Sequence, residues 1–423
     1  MEHAPAPAGG LPQWRAGMED WKDSPAGNHG QAGAGAAVGS TFCLTGQWAV
    51  FEGCGETRPP ALVSAGRVGA VLQGGVSVAR AVKPGTWALG TLQGQGQRQG
   101  GIDFPKAPVH TAVLAAPERP DREDMPKYDR AALVDVSVDG EVTVSQEDGV
   151  VARLQLGGVA WLRTEFRRLS LDSKLRESHP EGAGDAVGCR KAGSMVFCEG
   201  IVPGIDYSQV EDTVFGALPL ECRPEGGRRC YLALCCREGL MHILRIFLDA
   251  SGRLSARRSH TQGRARDGHI YEVAKRQPGP LPIPLGSVRF TTEPGVPLEL
   301  LAGARAPRQH AARKQLAYLG LGADADGSES PRELDGFQVA MATRHRSLVL
   351  LDGAVVLTAR HRYTAFAQLP PDFCPAQNVS LLVGRGQPNG RFELERLDVS
   401  PTGECMCSQL PEEMGIEHVI HLG

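Results

Sequence analysis

The sequence predicts an all-β protein of three tandem β-sandwich or jelly-roll-like modules, and three observations carry that expectation. Short runs alternate apolar and polar residues, as Val134, Val136 and Val138 do against Asp135, Ser137 and Asp139, which is the period of a strand with one buried face. Gly-ended turns separate the runs. Asp139-Gly140 joins the Val134 run to Glu141-Val142-Thr143-Val144, and Asp-Gly between alternating runs predicts a type I′ hairpin with positive φ at both central residues. Finally, one order of pieces recurs. Leu218-Pro219, Pro224, Gly239 and Gly252 reappear at one constant offset as Leu369-Pro370, Pro375, Gly390 and Gly403. The period is too long for a helical solenoid, so each copy reads as a small domain.

Taken in order, residues 1–38 are rich in Ala, Gly and Pro and lack both a basic n-region and an apolar h-region. They read as a disordered tail, neither a secretory signal nor a membrane span. Trp14 and Trp21 stand out there, either as a docking motif for a partner or as incidental tail residues. Module 1 (39–168) carries GRVGAVLQGGVSV, WALGTLQ, HTAVLA, AALVDVSVDGEVTV and LGGVAWLRTE. Its extra length falls in PERPDREDMPKYDR, a surface loop by composition. A connector, FRRLSLDSKLRESHPEGAGDAVG, leads to module 2 (185–295), with SMVFCEGIVPG, VFGALPLECRP, CYLALCC, GLMHILRIFLDASGRLSA and PLGSVRFTTE. Residues 296–334 read as a linker with a short helix over Pro307 to Leu319. Module 3 (335–423) repeats the order as HRSLVLLDGAVVL, AFAQLPPDFCP, NVSLLVGRG, GRFELERLDVSPTGECMC and IEHVIHLG.

Ala250-Ser251-Gly252 and Pro401-Thr402-Gly403 stand where Asp139-Gly140 does, so Gly140, Gly252 and Gly403 are expected to be hairpin glycines. Trp48, Trp87 and Trp161 sit inside apolar runs and read as core rather than ligand platforms. At 423 residues, 41% apolar and 22% charged, with Gly 53 and Pro 30, the chain has the make-up of a globular protein of several turn-rich domains. A net charge of -3 gives no general attraction to nucleic acid or an anionic membrane.

The eleven cysteines contain no Cys-x-x-Cys pair. Cys235-Cys236 and Cys405-x-Cys407 lack zinc-knuckle spacing, so reduced cysteines acting as small apolar residues in a reducing, intracellular compartment are preferred over a metal site. There is no Gly-x-Ser-x-Gly elbow, Walker A loop or His-Glu-x-x-His, and the Gly-rich GQGQRQGG and GRGQPNG read as turns. Asp324 to Glu329 has a calcium-loop flavour without the later glutamate. His418 and His421, three apart on a strand, point to opposite faces and make a poor shared metal site. Arg253, Arg257, Arg258, His260, Arg264, Arg266, Lys275 and Arg276, with Tyr271, could track a nucleic acid. Asp267 and Glu272 among them favour a solvated insert loop. Asn378-Val379-Ser380 reads as a chance glycosylation triplet. No catalytic, cofactor or metal residue is assigned.

Thr45-Gly46-Gln47-Trp48, Arg58-Pro59-Pro60, Gly66-Arg67-Val68 and Leu72-Gln73-Gly74, with Leu218-Pro219-Leu220-Glu221-Cys222-Arg223-Pro224 and, in part, Leu369-Pro370 and Pro375, form a pattern over most of residues 40–423. That pattern resembles the small β-domains at the ends of bacteriophage tail fibres and similar trimeric appendages. The Trp opening occurs only in the first copy and the Leu-Pro-Arg-Pro segment only in the second. The resemblance implies a β-sandwich packed about a threefold axis and serving attachment, structure or recognition, so three copies in one chain imply a single-chain pseudo-trimer. The leading expectation is a noncatalytic structural or binding protein whose loops take a glycan or a protein. Alternatives are a scaffold subunit anchored through Trp14 and Trp21, and an enzyme with its site between modules.

Overall fold

The computed structural model of the chain describes residues 41–44, 48–50, 61–64, 68–73, 75–82, 85–93, 105, 108–116, 130–146, 151–173, 175, 187–205, 213–237, 240–264, 270–272, 280–307, 336–386, 392–408, 410–411 and 417–423. It is all-β, with several curled sheets, and among the described residues no helix reaches seven residues. The first large sheet runs, neighbour to neighbour, Thr41–Leu44, Gly85–Gln93, Glu141–Gln146, Arg130–Val136, Val109–Ala116, Val151–Gln155, Gly75–Val82 and Trp48–Val50. The second runs Ser170–Leu171, Thr213–Ala217, Arg253–Arg264, Leu240–Leu248 and Arg229–Arg237, with Ile201–Ile205 and Leu281–Pro284 forming a separate pair. The third runs Glu299–Leu300, Ala365–Gln368, Glu404–Cys407, Phe392–Val399, Val379–Gly386, Glu417–His421 and Ala354–Thr358. A smaller sheet accompanies each: Ala160–Leu162, Gly69–Gln73 and Ala61–Ser64; Arg289–Thr291, Met195–Glu199, Gly188–Ala192 and Phe166–Arg168; Leu348–Asp352, Met341–His345 and Val296–Pro297.

The same hairpin closes the middle of each large sheet. Gly140 donates its N–H to Ser137 O at 3.0 Å, Gly252 to Asp249 O at 3.0 Å and Gly403 to Ser400 O at 2.9 Å. Their φ angles are +82°, +80° and +90°. Asp139 stays outside the left-handed region, which corrects the expected type I′ turn. Three residues make the loop, and only the last needs positive φ, so Asp-Gly serves here as Ser-Gly and Thr-Gly do in the other two hairpins. Leu92, Leu218 and Leu369 then donate their N–H groups to the hairpin glycine's carbonyl at 2.7, 2.8 and 2.8 Å.

Alternation gives each large sheet its own apolar cluster: Leu72, Val134 and Trp161; Phe215, Tyr231 and Phe290; Phe366, Leu397 and Ile420. Fully burying one such side chain contributes about 1.5–3 kcal/mol. A further cluster forms on the opposite faces, where Cys230, Leu232, Leu234, Ile243 and Phe247 meet Phe337, Val356, Phe392 and Val419. Strand Arg229–Arg237 is therefore buried on both sides, which is why it reads CYLALCC rather than alternating. Strands Val109–Ala116, Arg229–Arg237 and Val379–Gly386 touch one another pairwise, and Leu114 packs with Leu382. Two buried arginines tie neighbouring sheets together. Arg229 Nε donates to Asp352 Oδ2 at 2.8 Å, and Arg289 donates to Thr111 Oγ1 at 3.0 Å, Ala160 O at 3.3 Å and Gly158 O.

Several segment expectations change. Phe166–Arg168 and Ser170–Leu171, at the end of the expected first module and the start of its connector, pair with Gly188–Ala192 and Thr213–Ala217 and so belong to the second set of sheets. Val296–Pro297 and Glu299–Leu300, expected to open a linker, pair with Met341–His345 and Ala365–Gln368. Two-residue strands are too short to announce themselves by alternation; partners distant in sequence define them. Pro307 lies outside any helix, and residues 308–335, holding the rest of the expected helix and Asp324 to Glu329, lie outside the described residues, as do the tail 1–38, Trp14 and Trp21.

Candidate functional site: a polar cluster in the core of the third sheet

Strands Val379–Gly386, Phe392–Val399, Glu404–Cys407 and Glu417–His421 turn Val383, Leu397, Val399, Cys405, Cys407 and Ile420 into one apolar cluster. Two-residue periodicity sends Arg385, Glu393, Glu395 and His418 to that same face. The register brings them together: Arg385 lies opposite Glu393 and Ile420, and Glu395 opposite Val383. Glu395 is 0% exposed and His418 1%. At the corresponding rung of the other large sheets Val113 faces Ala132 and Ala233 faces Leu244, all buried. That rung is apolar in the first two large sheets and carries charge in the third. Burying charge is expensive unless it is paired and hydrogen-bonded.

The pairing is incomplete. Arg385 Nη2 donates to Glu393 Oε2, while its Nε stands 3.6 Å from Glu395 Oε2, an ion-pair separation beyond hydrogen-bond reach. Arg385 Nε and Nη1 and both ring nitrogens of His418 make no hydrogen bond. Burial, reinforced by the like charge of Arg385, pushes the His418 imidazole down to about 4, so at neutral pH it is uncharged and offers one N–H donor and one lone pair. Buried Arg289 also has an Nε without a hydrogen bond, but Arg190 and Arg229 differ. Arg190 donates to both Glu199 oxygens at 3.0 and 2.9 Å and to Thr164 O. Arg229 adds Gly227 O at 3.0 Å and Glu225 O at 3.1 Å to its carboxylate. Those guanidiniums are structural rivets; that of Arg385 retains unused donors.

A loop stands over this end of the sheet. Strand Ala354–Thr358 sets Leu357 opposite His418 and Thr358 opposite Glu417. The chain then makes a single 3-10 turn, Ala359–His361. Thr358 N–H donates to His361 Nδ1 at 3.0 Å, which fixes the tautomer that donates from Nε2 to Ala302 O at 3.1 Å. Arg362 bridges to Cys407, and Tyr363 donates its N–H to Cys407 O at 3.3 Å. Burial, with the Glu395 and Asp398 charges behind it, holds the Cys407 thiol well above its usual range. Tyr363 has φ +59°, a conformation that strains a non-glycine residue by about 1–3 kcal/mol. Its side chain is 61% exposed, with the Arg362 guanidinium 5.0 Å above one face of the ring. Arg305 and Glu417 pair on the same rim.

The residues singled out from the sequence are dispersed. His421 lies against Phe337 at 4.8 Å between ring centroids and near Phe392. Burial, helped by Arg245 and Arg228, pushes it down to about 3. Arg253–Arg264 is a strand, paired with Leu240–Leu248 and with Ile270–Glu272, not the expected insert loop; a long partner strand is enough to extend a polar sequence. Trp161 is fully buried, whereas the side chains of Trp48 and Trp87 lie outside the described residues. Cys189, Cys198, Cys222, Cys230, Cys235, Cys405 and Cys407 are buried free thiols and Cys374 a half-buried one. Asn378 is exposed immediately before its strand. Among the described residues no group of three His, Cys, Asp or Glu side chains is placed to hold a metal ion, and no helix is long and apolar enough to cross a membrane.

Sequence reasoning missed Arg385, Glu393, Glu395 and Tyr363. The signal was present in FELER, where a core strand carries Glu395 at the place that Ala132 holds in AALVDV and Leu244 in HILRI; aligning the three strand pairs rung by rung exposes it. No protein-family model, curated protein or solved structure matches this chain, so the chemistry of the site carries the functional argument.

Proposed function

We propose that this chain is a noncatalytic recognition protein, built from three copies of one β unit packed as a single-chain pseudo-trimer, with a glycan- or protein-binding site at the loop-bearing end of the third copy. One strand order and one hairpin geometry found three times support the repeat. The mutual contact of Val109–Ala116, Arg229–Arg237 and Val379–Gly386, strands that hold the same place in that order, supports packing about a common axis. The observation that carries the site is the buried cluster of Arg385, Glu395 and His418, in which Arg385 Nε and Nη1 and the His418 ring nitrogens make no hydrogen bond, at a rung where the sister units are apolar. Polar groups converging in an apolar surround, under an exposed loop, are what a recognition site requires.

An enzyme assembled between units is the weaker reading. The arginines that cross unit boundaries, Arg229 and Arg289, donate to carbonyls, a hydroxyl and a carboxylate, with only Arg289 Nε left over, which is the role of a structural tie. The test is a thermal-shift screen of glycans and proteins against the full chain and a triple variant, Arg385→Ala, Glu395→Leu and His418→Leu, which copies the apolar sister units. The variant should fold and lose every ligand that the unaltered chain binds. Ligands bound equally by both would remove the site from this end of the third copy.

A further inference from the structure

We propose that Cys222 and Cys189 are a redox-modified pair: hydrogen peroxide oxidises Cys222, and Cys189 closes a reversible disulfide onto it. The inference is independent of the polar cluster in the third sheet and rests on thiols brought together in the second set of sheets. In the hairpin of Gly188–Ala192 and Met195–Glu199, Cys189 lies opposite Cys198, and the strand on its other side sets Arg167 opposite Cys189. Register partners share a face, so the guanidinium and both thiols line one side of the small sheet. The 3-10 turn Leu220–Cys222 is clamped to that sheet. Lys191 Nζ donates to Glu221 O at 2.7 Å, Arg167 pairs with the Glu221 carboxylate, and the Cys222 and Cys189 thiols are hydrogen-bond partners.

The third set of sheets shows that such a turn docks without sulfur. Counted from its turn, the hairpin of Met341–His345 and Leu348–Asp352 puts Ala342 opposite Leu351 at the step where Cys189 lies opposite Cys198. Arg344 donates to Asp372 O as Lys191 does to Glu221 O, and the 3-10 turn Pro371–Phe373 ends in Phe373 where Leu220–Cys222 ends in Cys222. Packing alone is served there by Ala342, Leu351 and Phe373. Three thiols beside two cations add a reaction.

The thiolate is the reactive form of cysteine. The hydrogen bond with Cys189, joined by the Arg167 and Lys191 charges, holds the Cys222 thiol below its usual range in spite of burial and Glu221. The same contact and burial push the Cys189 thiol up, so Cys189 keeps its proton and donates it to the Cys222 sulfur. Cys222 is buried beneath its turn, but Leu220 is 76% exposed and Glu221 is exposed, so the cover is a surface turn. Local opening of that turn admits a molecule as small as peroxide. The Cys222 thiolate then attacks one peroxide oxygen: the S–O bond forms, the O–O bond breaks, and hydroxide leaves and takes up a proton. Cys189 gives up its proton as its sulfur attacks the Cys222 sulfenic acid; the S–S bond forms, the S–O bond breaks and a second water leaves. Two thiols and one peroxide become one disulfide and two waters, and a thiol reductant reverses the modification by exchange.

The experiment treats the full chain, Cys189→Ala and Cys222→Ala with hydrogen peroxide under native conditions, with a dimedone probe for sulfenic acid. Each is then alkylated, digested and mapped by mass spectrometry with and without dithiothreitol. The expected result is a reducible cross-link between the Cys189 and Cys222 peptides in the unaltered chain, with a probe adduct on Cys222 in Cys189→Ala and none on Cys189 in Cys222→Ala. The cross-link in the unaltered chain decides the pair if a variant folds poorly. Cys189 joined to Cys198 instead, or Cys189 and Cys222 both still reduced after other cysteines are oxidised, would overturn the pair. A probe adduct on Cys189 and none on Cys222 would overturn the roles assigned to them.

Discussion

Gly252 and Gly403 show how a residue choice is fixed by two independent constraints. Each has positive φ, and an added Cβ would stand 2.6 Å from Arg223 Cγ in the first case and 2.7 Å from Cys374 Sγ in the second. Gly252→Val and Gly403→Val should each cost about 1–3 kcal/mol, read as a lower denaturation midpoint with an unchanged slope. A midpoint within error of the unaltered chain would mean that the hairpin can adopt another register. His421 offers a test of pH dependence. Its folded-state pKa of about 3 lies below the ordinary value near 6.5, so the unfolded chain takes up a proton that the folded chain refuses. Its contribution is complete above pH 6.5 and is lost as pH falls toward 3. His421→Phe, placed against Phe337 and Phe392 and under Arg245 and Arg228, should gain on the unaltered chain by about 2–3 kcal/mol between pH 7 and pH 4.5. Parallel stability curves for the two proteins over that range would contradict the assignment.

At the level of an element, Phe392–Val399 brings Glu395 of a buried ion pair into the core at the rung where the other two large sheets hold Ala132 and Leu244. Removing one partner strands the other: Arg385→Ala alone should cost about 3–5 kcal/mol, because Glu395 is left buried without its cation. Removing both is different. Arg385→Ala with Glu395→Leu should fall within about 1 kcal/mol of the unaltered chain or above it, since buried ion pairs are often matched by well-packed apolar residues. Chemical denaturation of the single and double variants decides this; a double variant as weak as the single one would show that the pair itself holds the strand. Persistence of such a pair, at a place where apolar packing serves twice elsewhere, is the energetic argument for a role in recognition.

For the whole molecule, the decisive contacts are those between sheets that each have their own core. Arg229, buried in the second sheet, reaches Asp352 in the third set, and Arg289 reaches Thr111, Gly158 and Ala160 in the first. Asp352→Leu leaves Arg229 without its carboxylate and should cost about 3–5 kcal/mol. If the units depend on one another through these ties and the shared cluster around Phe247, Phe337 and Phe392, unfolding should remain one transition in the unaltered chain and split into two in Asp352→Leu. Calorimetry reads this directly: a single transition of the same sharpness in the variant would show that coupling runs through the apolar cluster alone.

The sequence by itself determined the class of fold and the sites of the hairpins, because alternation and glycine at a left-handed position are local requirements that each strand and turn meets alone. Val134 and Val136 alternate into their core as read, whereas Val138, read as the next inward residue, lies in the loop and is 43% exposed; Gly140, Gly252 and Gly403 close their turns. Even there, whether Asp139-Gly140 made a two- or three-residue loop was decided by pairing, since both loops accept the same dipeptide. The tertiary structure decided the rest. Two-residue strands such as Val296–Pro297 exist only through partners far along the chain. Whether a face of CYLALCC meets its own core or a neighbouring unit depends on how whole sheets pack. The polar end of the third sheet needed register as well: Arg385, Glu395 and His418 sit on three strands, and only hydrogen-bonded pairing places them side by side. Local periodicity assigns a face; convergence is a property of the assembled sheet.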